Sequence, residues 1–465
     1  MPNRNAVVQL RRLGNTALIE IDNPPVNALS QSVRAGIVEA LNQAEADPAI
    51  ELIALLGKGK VFIAGADIKE FGKPPQAPIL PDVISRLENS PKPTIAILHG
   101  VALGGGLEVA LGCHYRVAFS GTRLGLPEVK LGLLPGAGGT QRLPRLTGVV
   151  TAAHWITEGT AVDADTALAK GLIDDITDAE SGEAAALAIT ERWQAGTIKL
   201  RKTGQLPNPA SDAKTLETIR RELEKKHPDL YSPYRILEAM EASCTLPLAD
   251  GLRFERDLFF QCMDSPQRAG LIHHFFAIKA IGKVPDGDPE ATLNHLVLAG
   301  DHPMLNALGD HPLAHTTPAT TPGIEVHFRE DASASEPKTV LVEVVESATD
   351  LSDALQDFTV VTIPDSSMIE LIDHYHRPNV QQALIKVFKA GGFTVIPSKQ
   401  QSIYRMLSAS LKNAADPRKA LERAAVSAAE AGLCYRPADI DVLAIETLSY
   451  PKHLGGPYYQ ATLSK

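Results

Sequence analysis

Two glycine-containing turns in the first quarter of the sequence could present bare backbone N–H groups to a ligand. Ala64-Gly65-Ala66-Asp67-Ile68 follows one apolar segment, and Gly104-Gly105-Gly106-Leu107-Glu108 follows another about forty residues later. A thioester oxygen that becomes an enolate is stabilised by two preorganised N–H donors, which two separate turns can supply. The pair of turns therefore indicates chemistry at an acyl thioester.

Two glutamates accompany these turns. Glu108 lies in the first turn of the helix predicted after Gly104–Gly106, where the helix dipole favours negative charge. Taken alone, the glycines are better explained as a tight strand-to-helix turn, and Glu108 is what favours a functional site. Glu128 lies between Pro127 and apolar residues, although a lone glutamate is usually a solvated surface residue.

A second glycine-dense loop, Leu133–Arg142, follows Glu128 and opens a helix. It is not a dinucleotide fingerprint, because Gln141 stands where the third glycine would be. It also lacks the Gly-Lys-Ser/Thr ending of a P-loop.

Strands and helices alternate over the first 180 or so residues. Ser30 is the predicted N-cap of a helix whose Val33, Ile37, Leu41 and Ala44 share one face. This alternation predicts an α/β layered domain. The predicted strands are Thr16–Asp22, Ile50–Leu56 and Thr94–Leu98.

The rest of the chain is predicted as helices followed by a second α/β region. A linker or surface loop is expected over Lys199–Asp212, and a boundary over 282–289. His302–Thr321 is expected to be a loop. The predicted helices are Leu216–Met240, Arg253–Met263, Arg268–Lys283, Gln381–Ala390 and Pro417–Ala431, and the strands are Leu293–Leu298, Thr339–Val345, Phe358–Ile363 and Phe393–Ile396.

Composition limits the function classes. A chain of 465 residues with 44% hydrophobic and 22% charged residues predicts two or three globular domains. The net charge of −10 argues against nucleic acid as a partner. Four cysteines without a CxxC pair, and histidines without metal-site spacing, predict no metal.

Targeting signals are not recognised in the sequence. The first residues lack the apolar core of a signal peptide, and no apolar run reaches the length of a membrane span. The last residues, Leu463-Ser464-Lys465, are not the Ser-Lys-Leu peroxisomal address. The sequence therefore predicts a cytoplasmic enzyme, or alternatively a matrix enzyme whose presequence is absent from this sequence.

The segment from Ala17 to Ile176 resembles the crotonase (enoyl-CoA hydratase/isomerase) superfamily. Its motifs stand in the family's order and spacing, which makes the resemblance specific. The residues that carry it are Ala64–Glu70, His99–Glu108, Leu126–Glu128, Leu134–Arg142 and Ala167–Asp174.

The resemblance implies a site for hydration of a 2-enoyl-CoA. The oxyanion hole would be the N–H groups of Ala66 and Gly105, and the catalytic pair Glu108, for water activation, and Glu128, for proton delivery to C2. Gly136 would help hold the attacking water. Coenzyme A, as part of the substrate, would lie along Asn27, Ala28, Leu29, Ala64, Gly65, Asp67 and Ile68, and no cofactor would be required.

The second half resembles multifunctional β-oxidation enzymes, in which a crotonase domain is fused to a 3-hydroxyacyl-CoA dehydrogenase. Ala269–Ala277 is similar to their linker, and Arg436–Asp441 and Pro451–Pro457 to the end of the dehydrogenase. The region between is shorter than in that family, and no G-x-G occurs from Asp286 to Lys465. NAD is therefore not expected to bind, because those glycines admit the pyrophosphate.

Two residues resemble the dehydrogenase's catalytic pair in their surrounding sequence. His327 and Glu343 stand in segments similar to its short motifs, and Tyr404 stands where that family has an asparagine. We interpret His327 and Glu343 as a degenerate dyad or as structural residues.

The sequence thus predicts an α/β protein in four regions. Residues 1–195 form a crotonase ββα-spiral domain, 196–288 a helical linker or cap, 289–400 a truncated Rossmann-like region, and 401–465 a helical dehydrogenase remnant. A monomer or small homo-oligomer is expected, with a thiolase or another enzyme of acyl-CoA metabolism as candidate partner.

Three alternatives to a simple hydratase remain at this point. They are a bifunctional hydratase and NAD-dependent dehydrogenase, a Δ3-Δ2-enoyl-CoA isomerase, and a non-catalytic scaffold of an acyl-CoA complex. The acyl group is also open among straight-chain fatty, aromatic and steroid side-chain thioesters.

Overall fold

The computed structural model describes residues 6–285, 287, 296–297, 314–315, 325–330, 339–345, 358–363, 366–373, 378–390, 392–399, 401–412 and 414–463. The chain divides into two compact units, Met1–Arg268 and Ala269–Lys465. The division into four sequence regions stays a prediction.

The first unit is built on a six-stranded sheet in the order β1-β2-β3-β4-β6-β9, parallel except for the β1–β2 hairpin. A small sheet has the order β5-β7-β8. The strands are β1 Val8–Leu13, β2 Thr16–Ile21, β3 Leu52–Gly57, β4 Thr94–Leu98, β5 Val101–Leu103, β6 Tyr115–Phe119, β7 Arg123–Gly125, β8 Ala161–Asp163 and β9 Asp175–Thr177.

Helices cover both faces of the larger sheet, and three short 3-10 helices, Ile68–Glu70, Glu128–Leu131 and Thr203–Gln205, lie in its connections. The α-helices are α1 Gln31–Ala46, α2 Leu80–Glu88, α3 Gly105–Gly112, α4 Gly139–Thr147, α5 Val149–Glu158, α6 Ala164–Ala169, α7 Gly182–Gln194, α8 Ala213–Lys226, α9 Ser232–Thr245, α10 Leu248–Met263 and α11 Pro266–Ala280, which begins in the first unit and ends in the second.

Burial explains why these segments fold as they do. All five residues of β4 are buried, as expected for a parallel strand covered on both faces. The predicted α1 is confirmed: Ser30 accepts a hydrogen bond from the Val33 N–H, and the predicted apolar face is buried. The mixed α/β architecture predicted from the sequence is likewise confirmed.

The helices after α7 are divided differently from the prediction. The single helical stretch expected over Leu216–Met240 is wrong, because α8 ends at Lys226 and α9 begins at Ser232. Pro228 disfavours the helical conformation at His227 and so separates the two helices.

The loop predicted over Lys199–Asp212 is only partly exposed, since Thr203 is buried and the Gly204 N–H donates to Glu88 Oε1 at 2.6 Å. Residues of α8, α9 and α10 pack in the same core as the first domain's helices, among them Leu216, Ile219, Ile236, Leu237, Met240 and Leu258. The helices α8, α9 and α10 are therefore an integral part of the first unit.

The second unit contains a sheet in the order β11-β10-β12-β13-β14-β15-β16, antiparallel from β12 to β15 and parallel at its other described pairings. Of the loop predicted over His302–Thr321, only Ala314–His315 lies within the described residues, as a strand. The strands are β10 Leu296–Val297, β11 Ala314–His315, β12 Glu325–Glu330, β13 Thr339–Val345, β14 Phe358–Thr362, β15 Met368–Asp373 and β16 Thr394–Lys399.

Helices complete this unit, with a core that includes Ile403, Leu407, Leu421, Ala425 and Leu443. In the part of the chain that the structure describes, no helix is both long and apolar enough to cross a bilayer. The helices are α12 Pro378–Ala390, α13 Ile403–Leu411, α14 Pro417–Glu430, α15 Pro437–Thr447 and α16 Pro457–Leu463, with a 3-10 helix at Lys452–Leu454.

Candidate active site

Backbone pairing brings the two glycine turns together. The Leu29 N–H donates to the Gly65 carbonyl at 2.9 Å, and the Leu103 N–H donates to the Ile63 carbonyl at 3.1 Å. The segments around Leu29 and Ile63–Ala66 and strand β5 of the small sheet therefore lie side by side.

The predicted oxyanion donors are neighbours in this arrangement. A Cβ atom built on Gly105 would lie 3.3 Å from the Ala66 nitrogen and 2.8 Å from Leu80 Cδ2. A side chain at position 105 would thus crowd both a backbone donor and an apolar wall. Glycine keeps the space in front of the two turns open.

Glu128 approaches the same place from the 3-10 helix that follows β7. Gly104 has φ +52° and ψ −128°, and a Cβ on it would lie 2.8 Å from Glu128 Oε1. Glycine at 104 is required both for this backbone conformation and for the approach of the carboxylate. The structure therefore gathers Ala66, Gly105 and Glu128.

Glu108 is buried, with 3% of its surface exposed, and it faces the start of α4. Its Oε1 accepts hydrogen bonds from the N–H groups of Ala137, at 2.8 Å, and Gly139, at 2.9 Å. Burial raises the pKa of Glu108, while these two N–H donors and then the charges of Arg142 and Arg256 act against the rise. The Glu108 carboxylate therefore has groups that stabilise its charge.

Glu128 has less such support, since its own backbone N–H is the group that acts to lower its pKa. Its Oε2 is shielded from solvent and has no hydrogen-bond partner among the described residues. Burial raises its pKa well above the usual value, and the negative charges of Glu108 and Glu255 raise it further. Burial and neighbouring negative charges thus disfavour ionisation of Glu128, whereas Glu108 has donors that favour its carboxylate.

Sequence reasoning missed Glu255. This residue of α10 is 1% exposed, and its carboxylate accepts hydrogen bonds from Gly138 and Thr140 at the start of α4. The signal was available, because Glu255 shares a buried helical stripe with Gly251, Leu258 and Cys262. A carboxylate in such a stripe is rare unless it has dedicated partners.

Gly136 begins the loop that holds Glu108. A Cβ on Gly136 would lie 2.5 Å from Phe259 Cδ2 of α10, and its carbonyl accepts a hydrogen bond from Arg256 Nη1 at 3.3 Å. The structure thus places Gly136 beside the catalytic candidate, and its role in holding water stays a prediction.

The residues predicted along coenzyme A lie in two paired segments. Asn27, at φ +54°, is 2% exposed, and its Nδ2 donates to the carbonyls of Lys58 and Val61 at 2.9 Å each. The Asn27 side chain is therefore engaged inside the fold. Asp67 Oδ1 caps the following 3-10 helix through the Lys69 N–H at 3.0 Å.

The other members of these segments form the pairing itself. The Ala64 N–H donates to the Val26 carbonyl at 3.1 Å, and Leu29 and Ala66 form a parallel bridge. The Ala28 carbonyl accepts from Asn23 Nδ2 at 2.8 Å. Gly65 and Ile68 flank Ala66 within two residues, so these segments lie next to the predicted oxyanion donors.

The residues of the degenerate dyad lie in the second unit. The register of β12 and β13 places His327 opposite Glu343, and their side chains lie outside the described part of the structure. Tyr404 lies in α13, where its N–H donates to buried Glu370 at 3.3 Å. Among the described residues, no group of three or more histidine, cysteine or acidic side chains could hold a metal ion.

Comparison with protein families decides the nature of the first unit. Residues 12–228 match the family model described as enoyl-CoA hydratase/isomerase. Through these residues, which are slightly less than half of its length, the chain is similar to the crotonase family. A hydratase domain of this family needs no cofactor.

Two curated relatives are similar to more than half of this chain. The peroxisomal bifunctional enzyme of Danio rerio is 39% identical over 277 residues, which are 59% of this chain and 38% of that protein. The human peroxisomal bifunctional enzyme is 37% identical over 282 residues, 60% of this chain and 39% of its own length. The chain thus spans about two fifths of the curated relatives that it matches.

A solved enoyl-CoA hydratase from Thermoplasma volcanium is 27% identical and covers 57% of this chain and 96% of its own, with a TM-score of 0.39. The predicted resemblance to multifunctional β-oxidation enzymes is confirmed by the curated relatives over the N-terminal 59% of the chain, and the resemblance of the later segments stays a prediction.

The predicted location is wrong. Relatives of this chain are named as peroxisomal proteins in animals and Arabidopsis and as a glyoxysomal protein in Brassica napus. These names overturn the expectation of a cytoplasmic protein. That expectation relied on the lack of recognised signals, which is weak ground for placing a protein.

Proposed function

We propose that the first unit is an enoyl-CoA hydratase, which adds water across the 2,3 double bond of a 2-enoyl-CoA thioester. The observation that carries this proposal is the pair of buried glutamates with unequal proton affinities, Glu108 and Glu128, beside the neighbouring backbone donors of Ala66 and Gly105. Hydration needs one group of each kind at once.

The residues support a balanced cycle. Glu108 takes a proton from water while the water oxygen bonds to C3, and the π electrons move toward the thioester oxygen. The N–H groups of Ala66 and Gly105 stabilise that oxygen as an enolate, each contributing about 3–4 kcal/mol. Glu128 gives its proton to C2 as the enolate collapses. The cycle closes when the proton on Glu108 returns to Glu128, the group with the higher pKa.

The direct test is a panel of 2-enoyl-CoA thioesters that differ in acyl length and include ring-bearing acyl groups. Hydration is followed by loss of the absorbance of the conjugated thioester. We expect saturable hydration of at least one class, and the best substrate identifies the acyl group. No hydration of any thioester, with stable acyl-CoA binding retained, would instead favour the scaffold.

The loop that precedes α2 is held by one buried side chain. Arg34 is 6% exposed, and its guanidinium donates to the carbonyls of Leu29 and Pro78 at 2.8 Å each and of Gln76 at 3.1 Å. It also forms an ion pair with Glu70 at 2.8 Å. Arg34 therefore joins the proposed coenzyme A segment to the loop before Leu80.

We expect R34K to raise KM for an enoyl-CoA by roughly tenfold with a smaller change in kcat, because hydrogen bonds from a charged donor contribute about 1.5–3 kcal/mol. A lysine ammonium cannot reproduce the planar fork that serves four acceptors. The matched control is R86K on α2, where the arginine pairs with Glu45 near the surface. Equal KM values for wild type and R34K would show that the hydrogen bonds and ion pair of Arg34 do not determine the geometry of the binding site.

A bifunctional enzyme is the second candidate, because the relatives are named bifunctional or multifunctional. We nevertheless propose that the second half does not bind NAD, since no G-x-G occurs from Asp286 onward. A titration with NADH, followed by its fluorescence, is expected to show no saturable binding. An acyl-CoA ligand serves as the positive control. Micromolar NADH binding together with oxidation of 3-hydroxyacyl-CoA would establish the bifunctional enzyme instead.

The remaining expectations stay proposals. An acyl-CoA thioester is the proposed ligand, and a thiolase or another enzyme of acyl-CoA metabolism is the proposed partner. The protein is proposed to be a monomer or a small homo-oligomer. Sedimentation of the protein alone would measure its oligomeric state, and sedimentation with a thiolase would measure their association.

A further inference from the structure

Four successive N–H groups at the start of α4 alternate between two carboxylates. Those of Ala137 and Gly139 donate to Glu108 Oε1 at 2.8 and 2.9 Å. Those of Gly138 and Thr140 donate to Glu255, at 2.6 Å to Oε1 and 2.9 Å to Oε2. The loop is thus held between α3 on one side and α10 on the other.

The Thr140 hydroxyl strengthens the second attachment. It accepts a hydrogen bond from Gln141 Nε2 at 3.1 Å, so its own proton is directed to Glu255 Oε2 at 2.5 Å. Glu255 therefore accepts three hydrogen bonds from the three-residue segment Gly138–Thr140. Gly251 of α10 lies directly against the Gln141 side chain, where a Cβ would collide.

Further residues of α10 brace the same loop. The Phe259 ring packs on Gly136, and Arg256 lies over that ring, 5.0 Å from its centre, while donating to the Gly136 carbonyl. All of these α10 residues lie beyond residue 228, where the match to the family model ends. The local support of Glu108 thus includes a helix outside the matched segment.

We propose that Glu255 is a positioning residue of the hydration site: it holds the Gly138 and Thr140 N–H groups and thereby directs the alternate N–H groups to Glu108. This inference rests on the proposed hydratase function. Loss of either attachment would let the loop rotate, because successive peptide N–H groups in this segment cannot be reoriented independently.

The charge of Glu255 also acts on the catalytic pair. The charged groups that face it are Glu108 from α3, Glu128 from the 3-10 helix after β7, and Arg256 of its own helix. Burial and then the charge of Glu108 raise the pKa of Glu255 to about 8. Once ionised, Glu255 disfavours a second charge on Glu128 and so keeps Glu128 protonated to higher pH.

The test compares wild type with E255Q and with D257N, an exposed acidic position on the same helix. We expect E255Q to lower kcat roughly 10- to 100-fold, since small misplacements of catalytic groups have effects of this size. The alkaline limb of the kcat/KM profile should move to lower pH, because Glu128 then loses its proton earlier. D257N should change neither.

A second readout does not depend on turnover. Infrared difference spectra between wild type and E128Q report the protonated Glu128 carboxyl as a function of pH. In the E255Q background this titration should move to lower pH. If wild type hydrates no enoyl-CoA, the proposed function fails, while the infrared titration still decides whether Glu255 acts on Glu128.

The milder variant T140V provides the same test in case the E255Q protein does not fold. It removes one of the three donors to Glu255 and should shift the alkaline limb in the same direction by a smaller amount. An unchanged alkaline limb and an unchanged infrared titration in the folded variants would overturn the proposal, even if kcat or thermal stability fell, because a merely structural role produces that pattern.

Discussion

Replacing Glu108 by glutamine is expected to lower kcat for hydration of a 2-enoyl-CoA by roughly 10²–10⁴-fold while KM changes little. The amide cannot take a proton from water. In one orientation its NH2 group would also face the N–H donors of Ala137 and Gly139, which now donate to the carboxylate. Steady-state hydration kinetics measure the change, and E158Q, at an exposed position of α5, is the matched control.

The same variant separates hydration from isomerisation. Moving a double bond from the 3,4 to the 2,3 position needs only a proton shuttle, which Glu128 can provide. E108Q should therefore retain isomerisation of a 3-enoyl-CoA to within about tenfold of wild type, a loss far smaller than that of an essential acid–base group. Loss of both reactions to the same extent would mean that Glu108 has a broader role than water activation.

Replacing Glu128 by glutamine is expected to abolish both reactions. The substitution removes the proton that must reach C2, so kcat for hydration and for isomerisation should each fall roughly 10²–10⁴-fold. Both are measured with the same substrates as for E108Q. Isomerisation by E128Q at the wild-type rate would assign the proton shuttle to another group.

In E128Q, thermal stability should rise although activity falls. Because the folded state raises the pKa of Glu128, ionisation of this carboxyl favours the unfolded state as pH rises above its unfolded pKa. E128Q cannot ionise, so its Tm should equal that of wild type at low pH and exceed it at neutral and alkaline pH. A lower Tm for E128Q at pH 8 would show that the carboxylate, not the neutral acid, is the favoured folded form.

The candidate site residues could be located from the sequence because short segments carry them. The glycines at 104 and 105 and the glutamates at 108 and 128 stand in motifs whose local conformation brings the backbone close to the ligand. The N-cap Ser30 and the buried face of α1 follow from helical periodicity in the same way.

The partners of residues that act through tertiary contacts could not be predicted in this way. Glu255 is 115 positions from Thr140, and only the packing of α10 on α4 joins them. Asn27 falls in a segment attributed to ligand binding, yet its amide satisfies carbonyls of the 58–62 turn. Pro228 indicates the break between α8 and α9, but the apolar pattern continues on either side of it and favoured a single helix.

The most direct test of the hydration site is a reaction of 2-enoyl-CoA in D2O, followed by NMR, with wild type, E108Q and E128Q. We expect wild type to form 3-hydroxyacyl-CoA with one deuterium at C2, and both variants to form it at least a hundredfold more slowly. The absence of this product with wild type, or equal rates for the three proteins, would contradict a hydratase site formed by Ala66, Gly105, Glu108 and Glu128.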